Sequence, residues 1–88
     1  MEYGFVYETI NLVNGHKYIG QHRRRQNPED PDDSWYLGSG KILCYAIEKY
    51  GWENFSRRIL CECKNQEELN EKEAYYISYY NAVEKMNL

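Results

Sequence analysis

Two phenols, an imidazole and one misplaced carboxylate are the groups in this chain whose placement asks for chemistry. Asn14-Gly15 marks a turn between strands at about 4–12 and 16–22, since a two-residue type I′ turn needs positive φ at both central positions and Asn-Gly supplies it. Folding the chain there pairs Val13 with His16, Asn11 with Tyr18, Thr9 with Gly20 and Tyr7 with His22. Side chains alternate with period two along a strand. Tyr7, Thr9, Asn11, Tyr18, Gly20 and His22 therefore share one face, and Val6, Ile10, Leu12 and Ile19 share the other, as a core face. A free phenol ionises near ~10, so Tyr7 can act as a base only beside positive charge or a metal. His22, opposite it, can supply that charge or accept the proton itself. The misplaced carboxylate is Glu73, which interrupts the apolar stripe Leu69, Tyr76, Ile77 and Tyr80. A carboxylate aimed at a core is costly unless paired, hydrogen-bonded or metal-bound. Mg2+ (or Mn2+) is held by one or two carboxylates with waters and phosphate, which makes Glu73 a candidate metal ligand. A buried ion pair with Lys or Arg is the alternative.

Cations that could meet a phosphate are Arg23, Arg24 and Arg25 directly after the second strand, and Lys41 at the start of a helix beside Gly38-Ser39-Gly40. A helix N-terminus after such a loop is a natural phosphate seat. Arg24 or Lys41 is the better candidate, and a solvated triplet is the alternative. The loop that follows the triplet carries Glu29, Asp30, Asp32 and Asp33, which would repel phosphate unless the loop swings away or binds metal. His16, at the turn, reads as exposed.

These residues must be positioned by a small set of elements. After the hairpin a loop marked by Pro28 and Pro31 runs to about residue 37, long for a compact domain. A helix starting near Ser39-Gly40 carries Ile42, Leu43, Ala46, Ile47 and Tyr50 on one stripe and stops at Gly51. Phe55 to Cys63 reads as a third strand. Asn65 opens the last helix, with Glu68 completing a capping box. The order ββαβα predicts an α+β fold, a small three-stranded antiparallel sheet flanked by helices. Its 88 residues suffice for one domain, residues 1–88, and are too few for two.

A net charge of −3 is not the profile of a domain that grips nucleic acid by charge alone. No apolar run suggests a membrane span or a secretory signal. Three cysteines, Cys44, Cys61 and Cys63, lack zinc spacing and read as reduced thiols in a cytoplasm. Ten tyrosines are many, and a buried phenol needs a partner, so margin positions are expected for several. Trp35, Trp52, Tyr75 and Tyr79 could stack on bases, but packing at the core or its margin is the preferred expectation.

Phe5-Val-Tyr7 and Tyr18-Ile-Gly20, with Asn-Gly between them, resemble the signature of the GIY-YIG endonuclease superfamily, with Phe5 in place of the first glycine. The resemblance continues through Tyr36-Leu-Gly-Ser-Gly-Lys41, Lys49-Tyr-Gly-Trp-Glu-Asn-Phe55 and Glu67-Glu-Leu-Asn-Glu-Lys-Glu73 to Asn81, and is nearest to small phage-type and homing-endonuclease-like members. It implies metal-dependent hydrolysis of DNA phosphodiester bonds, one strand per active site, in a bacterial or phage-infected cell. By the same resemblance Glu73 is the metal-binding glutamate, Tyr7 activates or orients the attacking water, and Tyr18 positions phosphate or water. His22 matches a Gln-His that follows Tyr-Ile-Gly in similar members, and Asn87 resembles an asparagine that closes the active site late in the domain. The family's arginine, about ten residues after the second tyrosine, falls here on Pro28. Arg23 and Arg25 remain as DNA-backbone contacts. Affinity beyond that is expected from a targeting partner or a homodimer. A DNA-binding module without turnover and a protein-interaction domain are the competing expectations.

Overall fold

The computed structural model describes residues 2–80 in full and the backbone of 84–85. Strands β1 (Gly4–Asn11) and β2 (Lys17–Arg23) form the expected antiparallel hairpin. The turn between them is wider than Asn-Gly alone predicts. Asn11 N–H donates to His16 O (2.9 Å) and Gly15 N–H to Asn11 O (2.7 Å), enclosing residues 12–15. Two asparagine side chains favour this wider loop: Asn11 Oδ1 accepts from Val13 N–H and Asn14 Oδ1 from His16 N–H, both at 2.9 Å. Such side-chain turns compete with the tight two-residue turn. The positive φ that glycine supplies is used once, at Gly15 (79°).

The register is accordingly displaced by two residues from the expected one. Tyr7 pairs with Gly20, Thr9 with Tyr18 and Phe5 with His22. A slip of two preserves which face each side chain occupies, whereas a slip of one would have exchanged them. Leu12 becomes an exposed turn residue rather than a core one. Gly4 leaves no room for a side chain between the strands, because a Cβ there would lie 2.4 Å from the His22 carbonyl oxygen.

Helix α1 (Lys41–Tyr50) ends at Gly51, whose N–H donates to Ile47 O, and a single 3-10 turn (Trp52–Asn54) leads into β3 (Phe55–Cys63). Strand β3 pairs antiparallel with β1, with a bulge opposite Val6 and Tyr7. Helix α2 (Gln66–Tyr80) opens as predicted on Asn65, whose Oδ1 accepts from Glu68 N–H at 2.8 Å. The reciprocal bond falls one residue earlier than a capping box has it: Glu68 Oε1 accepts from Lys64 N–H. A two-residue strand, β4 (Glu84–Lys85), adds a parallel edge beside β2, giving the order β3-β1-β2-β4.

Placing β1 centrally buries both faces of the hairpin, not one. Phe5, Tyr7 and Tyr18 pack with Phe55 beneath Leu43 of α1 and the loop residues Tyr36 and Leu37. Val6, Ile19 and Cys63 pack against Leu69, Tyr76 and Ile77 of α2. All three cysteines are free thiols. Burial first, and then the neighbouring Cys61, push the Cys63 thiol up to about 12. Among the described residues no helix is long and apolar enough to cross a membrane.

Candidate functional site

Both signature tyrosines are buried, Tyr7 at 1% and Tyr18 at 2% exposure, so the phenol face of the hairpin is a packed layer and not an open floor. Tyr36, from the loop before α1, covers it. Its ring stands perpendicular to that of Tyr7 (5.6 Å between centroids) and lies stacked on His22 (3.9 Å, 24°). Burial raises the ionisation of Tyr7 above the ordinary phenol value, and neighbouring Tyr36 and Glu73 raise it further, against a smaller opposing pull from Arg57. The positive charge needed for Tyr7 to act as a base is thus outweighed, and at neutral pH Tyr7 is a neutral phenol.

His22 is opposite Phe5, not Tyr7, and finds a partner outside the hairpin. Its Nε2 lies 2.8 Å from Asp33 Oδ2. Asp33 is 1% exposed, sits at a φ of 46° and also accepts the Arg25 backbone N–H at 3.1 Å. Burial alone would raise the Asp33 carboxyl, but the hydrogen bonds from His22 and the Arg25 amide, with the Arg25 charge, outweigh it and hold it below the usual carboxylate range. A carboxylate bound to Nε2 fixes the tautomer that carries its proton there, leaving Nδ1 as the basic nitrogen. Asp33 was invisible in the sequence, where it reads as one of four acids in a solvated loop. That loop is in fact wired inward: Asp32 pairs with Arg24, and Asp30 accepts from Ser34 N–H and Oγ–H.

The candidate cations divide sharply. Arg24 is buried and held by protein acceptors. Both its Nη atoms donate to Glu62, Nη2 also to Asp32 Oδ1 (2.6 Å), and Nε to Pro31 O (2.8 Å). As placed, this guanidinium anchors the loop, with four of its five N–H donors committed to Glu62, Asp32 and Pro31. Arg23 and Arg25 are exposed, lying over the rings of Tyr3 and Trp35. Lys41 is exposed at the first position of α1, whose N-cap, Gly40, provides no side-chain cap. The cation nearest the phenols is one the sequence reading passed over. Arg57 of β3 lies over Phe5 (4.8 Å) and donates to the carbonyls of Asp32, Asp33 and Tyr36. The strand alternation that places it on the Phe5 face was readable.

Glu73 is buried at 7% exposure, as its position in the stripe requires. It belongs to the α2 layer, where Oε1 accepts from Gln21 Nε2 at 3.1 Å within an amide network that includes Asn70 and Gln66. Its charge nevertheless reaches the Tyr7 phenol. Among the described residues no three His, Cys, Asp or Glu side chains cluster as a metal cage. Asn87 lies outside the described residues. Trp35, Trp52, Tyr75 and Tyr79, expected at the core or its margin, are instead all more than half exposed.

The family described as "Putative endonuclease segE, GIY-YIG domain" matches residues 1–87. Three relatives from Enterobacteria phage T4 are similar. "Putative endonuclease segE" is 58% identical over 75% of this chain, "Putative endonuclease segB" 42% over 78%, and "Endonuclease segA" 41% over 67%. The chain covers only 30%, 29% and 24% of the lengths of those relatives. No solved structure matches. With the family match spanning residues 1–87 and the order ββαβα observed, the chain belongs to the GIY-YIG endonuclease family.

Proposed function

We propose that this domain is a metal-dependent DNA endonuclease that hydrolyses phosphodiester bonds one strand at a time, with little sequence preference of its own. The observation that carries the reading is the buried Glu73 carboxylate, set by Gln21 and felt electrostatically by Tyr7. One carboxylate, with no cage of acids around it among the described residues, would fit Mg2+ or Mn2+, which keeps several waters and takes substrate phosphate as a further ligand. Bound there, such an ion polarises a phosphoryl oxygen and lowers the pKa of water.

The chain's own residues divide the remaining work. His22, oriented by Asp33, takes the proton of the attacking water through its Nδ1. Tyr7, a neutral phenol, orients that water, and Tyr18 beside it in the same cluster positions water or phosphate. Lys41 at the α1 N-terminus meets the phosphate, with Arg23 and Arg25 along the strand. Since Tyr7 and Tyr18 lie beneath Tyr36 and Leu37, substrate engagement requires this cover to shift. A homodimer or a targeting partner supplies further affinity and allows double-strand cleavage.

The burial of both phenols and the locked Arg24 favour one second reading, a DNA-binding module of the same fold without turnover. Nicking of supercoiled plasmid by purified protein, with and without Mg2+ and beside Glu73→Ala, decides between them. Metal-dependent nicking that disappears in the variant supports the nuclease. Nicking that survives the substitution removes Glu73 from the metal site. Plasmid shifted at low salt but never nicked supports the binding module.

A further inference from the structure

On the layer that packs over the phenols, a groove of about 470 Å³ is lined by two indoles, Trp35 and Trp52, which are 59% and 70% exposed. Its apolar floor comes from Leu37 and Phe55, and its polar side from Ser56 and the Arg57 guanidinium. Large exposed aromatic surface in a concave site marks a ligand or partner. Charge narrows the choice. The chain has 14 acidic residues and a net charge of −3, yet among the described residues no acidic side chain lines this groove, although Asp30 accepts from the lining Ser34 and, with Asp32 and Asp33, acts on Arg57. Arg57 is held in place by three backbone carbonyls, and Arg25 adds a cation over the Trp35 ring at 5.7 Å. Flat rings, a hydroxyl and a fixed guanidinium suit a planar, hydrogen-bonding ligand that carries an anionic group. The volume is far too small for a duplex.

We propose that the groove lined by Trp35 and Trp52 is a subsite for one unpaired nucleobase of a nucleic-acid strand, with Arg57 and Arg25 on its phosphate side. The assignment rests on the nucleic-acid reading of the domain and deepens it. The site adjoins the reaction centre, since Trp35 and His22 have ring centroids 6.3 Å apart. A base stacked on Trp35 therefore places its strand beside the imidazole. The substrates favoured are those that offer an unstacked base near the cut, such as single strands, flaps, bulges or mismatches. Stacking on exposed aromatic rings is tolerant of sequence.

The chain's only two tryptophans both line this groove, so fluorescence excited at the red edge, where the ten tyrosines no longer absorb, reports on it. The protein is titrated in EDTA, where no cleavage occurs, with a twelve-nucleotide oligothymidylate and with a duplex of equal length. The single strand is expected to quench saturably and at lower concentration than the duplex. Trp35→Leu and Trp52→Leu, followed by anisotropy of a labelled strand, should each weaken binding by about 5- to 100-fold, with unchanged urea midpoints because both rings are exposed. Equal quenching by duplex, absence of quenching, or wild-type binding by both variants overturns the proposal. Plasmid nicking by the same preparation separates the two readings. Nicking without quenching removes only the subsite, and quenching without nicking removes only the catalytic reading.

Discussion

Asp33 shows how much a single residue can organise. Its carboxylate fixes the His22 tautomer, accepts the Arg25 amide and occupies a left-handed backbone conformation that Asn and Asp tolerate better than other non-glycine residues. Asp33→Asn therefore keeps the backbone while removing the charge. Nicking should fall by at least about 10-fold, in line with the weight of a correctly oriented general base. Stability should change with pH in a defined sense. Because the native carboxyl is held below its usual range, its contribution is complete above the unfolded value near ~4 and disappears as pH falls through the native value. The difference in Tm between wild type and Asp33→Asn should close as pH falls below about 4, which a thermal-melt series across the acid range measures. Glu73, by contrast, was legible in the sequence. An acid in the middle of an apolar stripe breaks a pattern, whereas one acid among four in a loop breaks none.

At the scale of elements, the stretch between β2 and α1 is long, and its order comes from two arginines. Arg24 ties it to Glu62 of β3, and Arg57 holds the carbonyls of Asp32, Asp33 and Tyr36. Arg24→Gln should lower unfolding free energy by about 2 kcal/mol through lost charge-assisted hydrogen bonds, the half-exposed partners being free to rehydrate. In urea this appears as a lower midpoint at unchanged slope. At the other helix, Asn65→Ala removes the acceptor for Glu68 N–H and should cost about 1 kcal/mol. Element identities were readable because each has a local cause: Asn65 for a start, Gly51 for a stop, alternation in β3. The hairpin register was not readable to the same degree. It turns on competition between the Asn14-Gly15 tight turn and the side-chain acceptors of Asn11 and Asn14, two local preferences of similar strength. That only the register moved, and not the facing of Tyr7, Tyr18 and His22, follows from the period of two. The burial of those phenols depends on Tyr36 and Leu43 arriving from distant sequence, and hairpin alternation carries no such information.

For the whole molecule, the question is how a chain of net charge −3 holds a polyanion. Much of its positive charge is spent internally: Arg24 on Glu62 and Asp32, Arg58 and Lys17 on the buried Glu8, and Arg57 on backbone carbonyls. For a duplex, Arg23, Arg25 and Lys41 are the exposed cations proposed to meet phosphates, Arg57 facing only the single-strand groove. Three phosphate contacts imply that log K against log salt has a slope of about −2.7 on duplex DNA. Raising monovalent salt from 50 to 200 mM should then weaken duplex binding by roughly 40-fold, as read by anisotropy of a labelled duplex in EDTA. A loss near thousandfold would mean that further cations engage and that this chain grips DNA without help. The shallow slope fits a catalytic module whose affinity is supplied elsewhere, by a second copy or a targeting partner. The two alternatives separate in the same assay. A second copy makes binding steepen with protein concentration, whereas a domain dependent on another partner binds weakly and without cooperativity at every concentration.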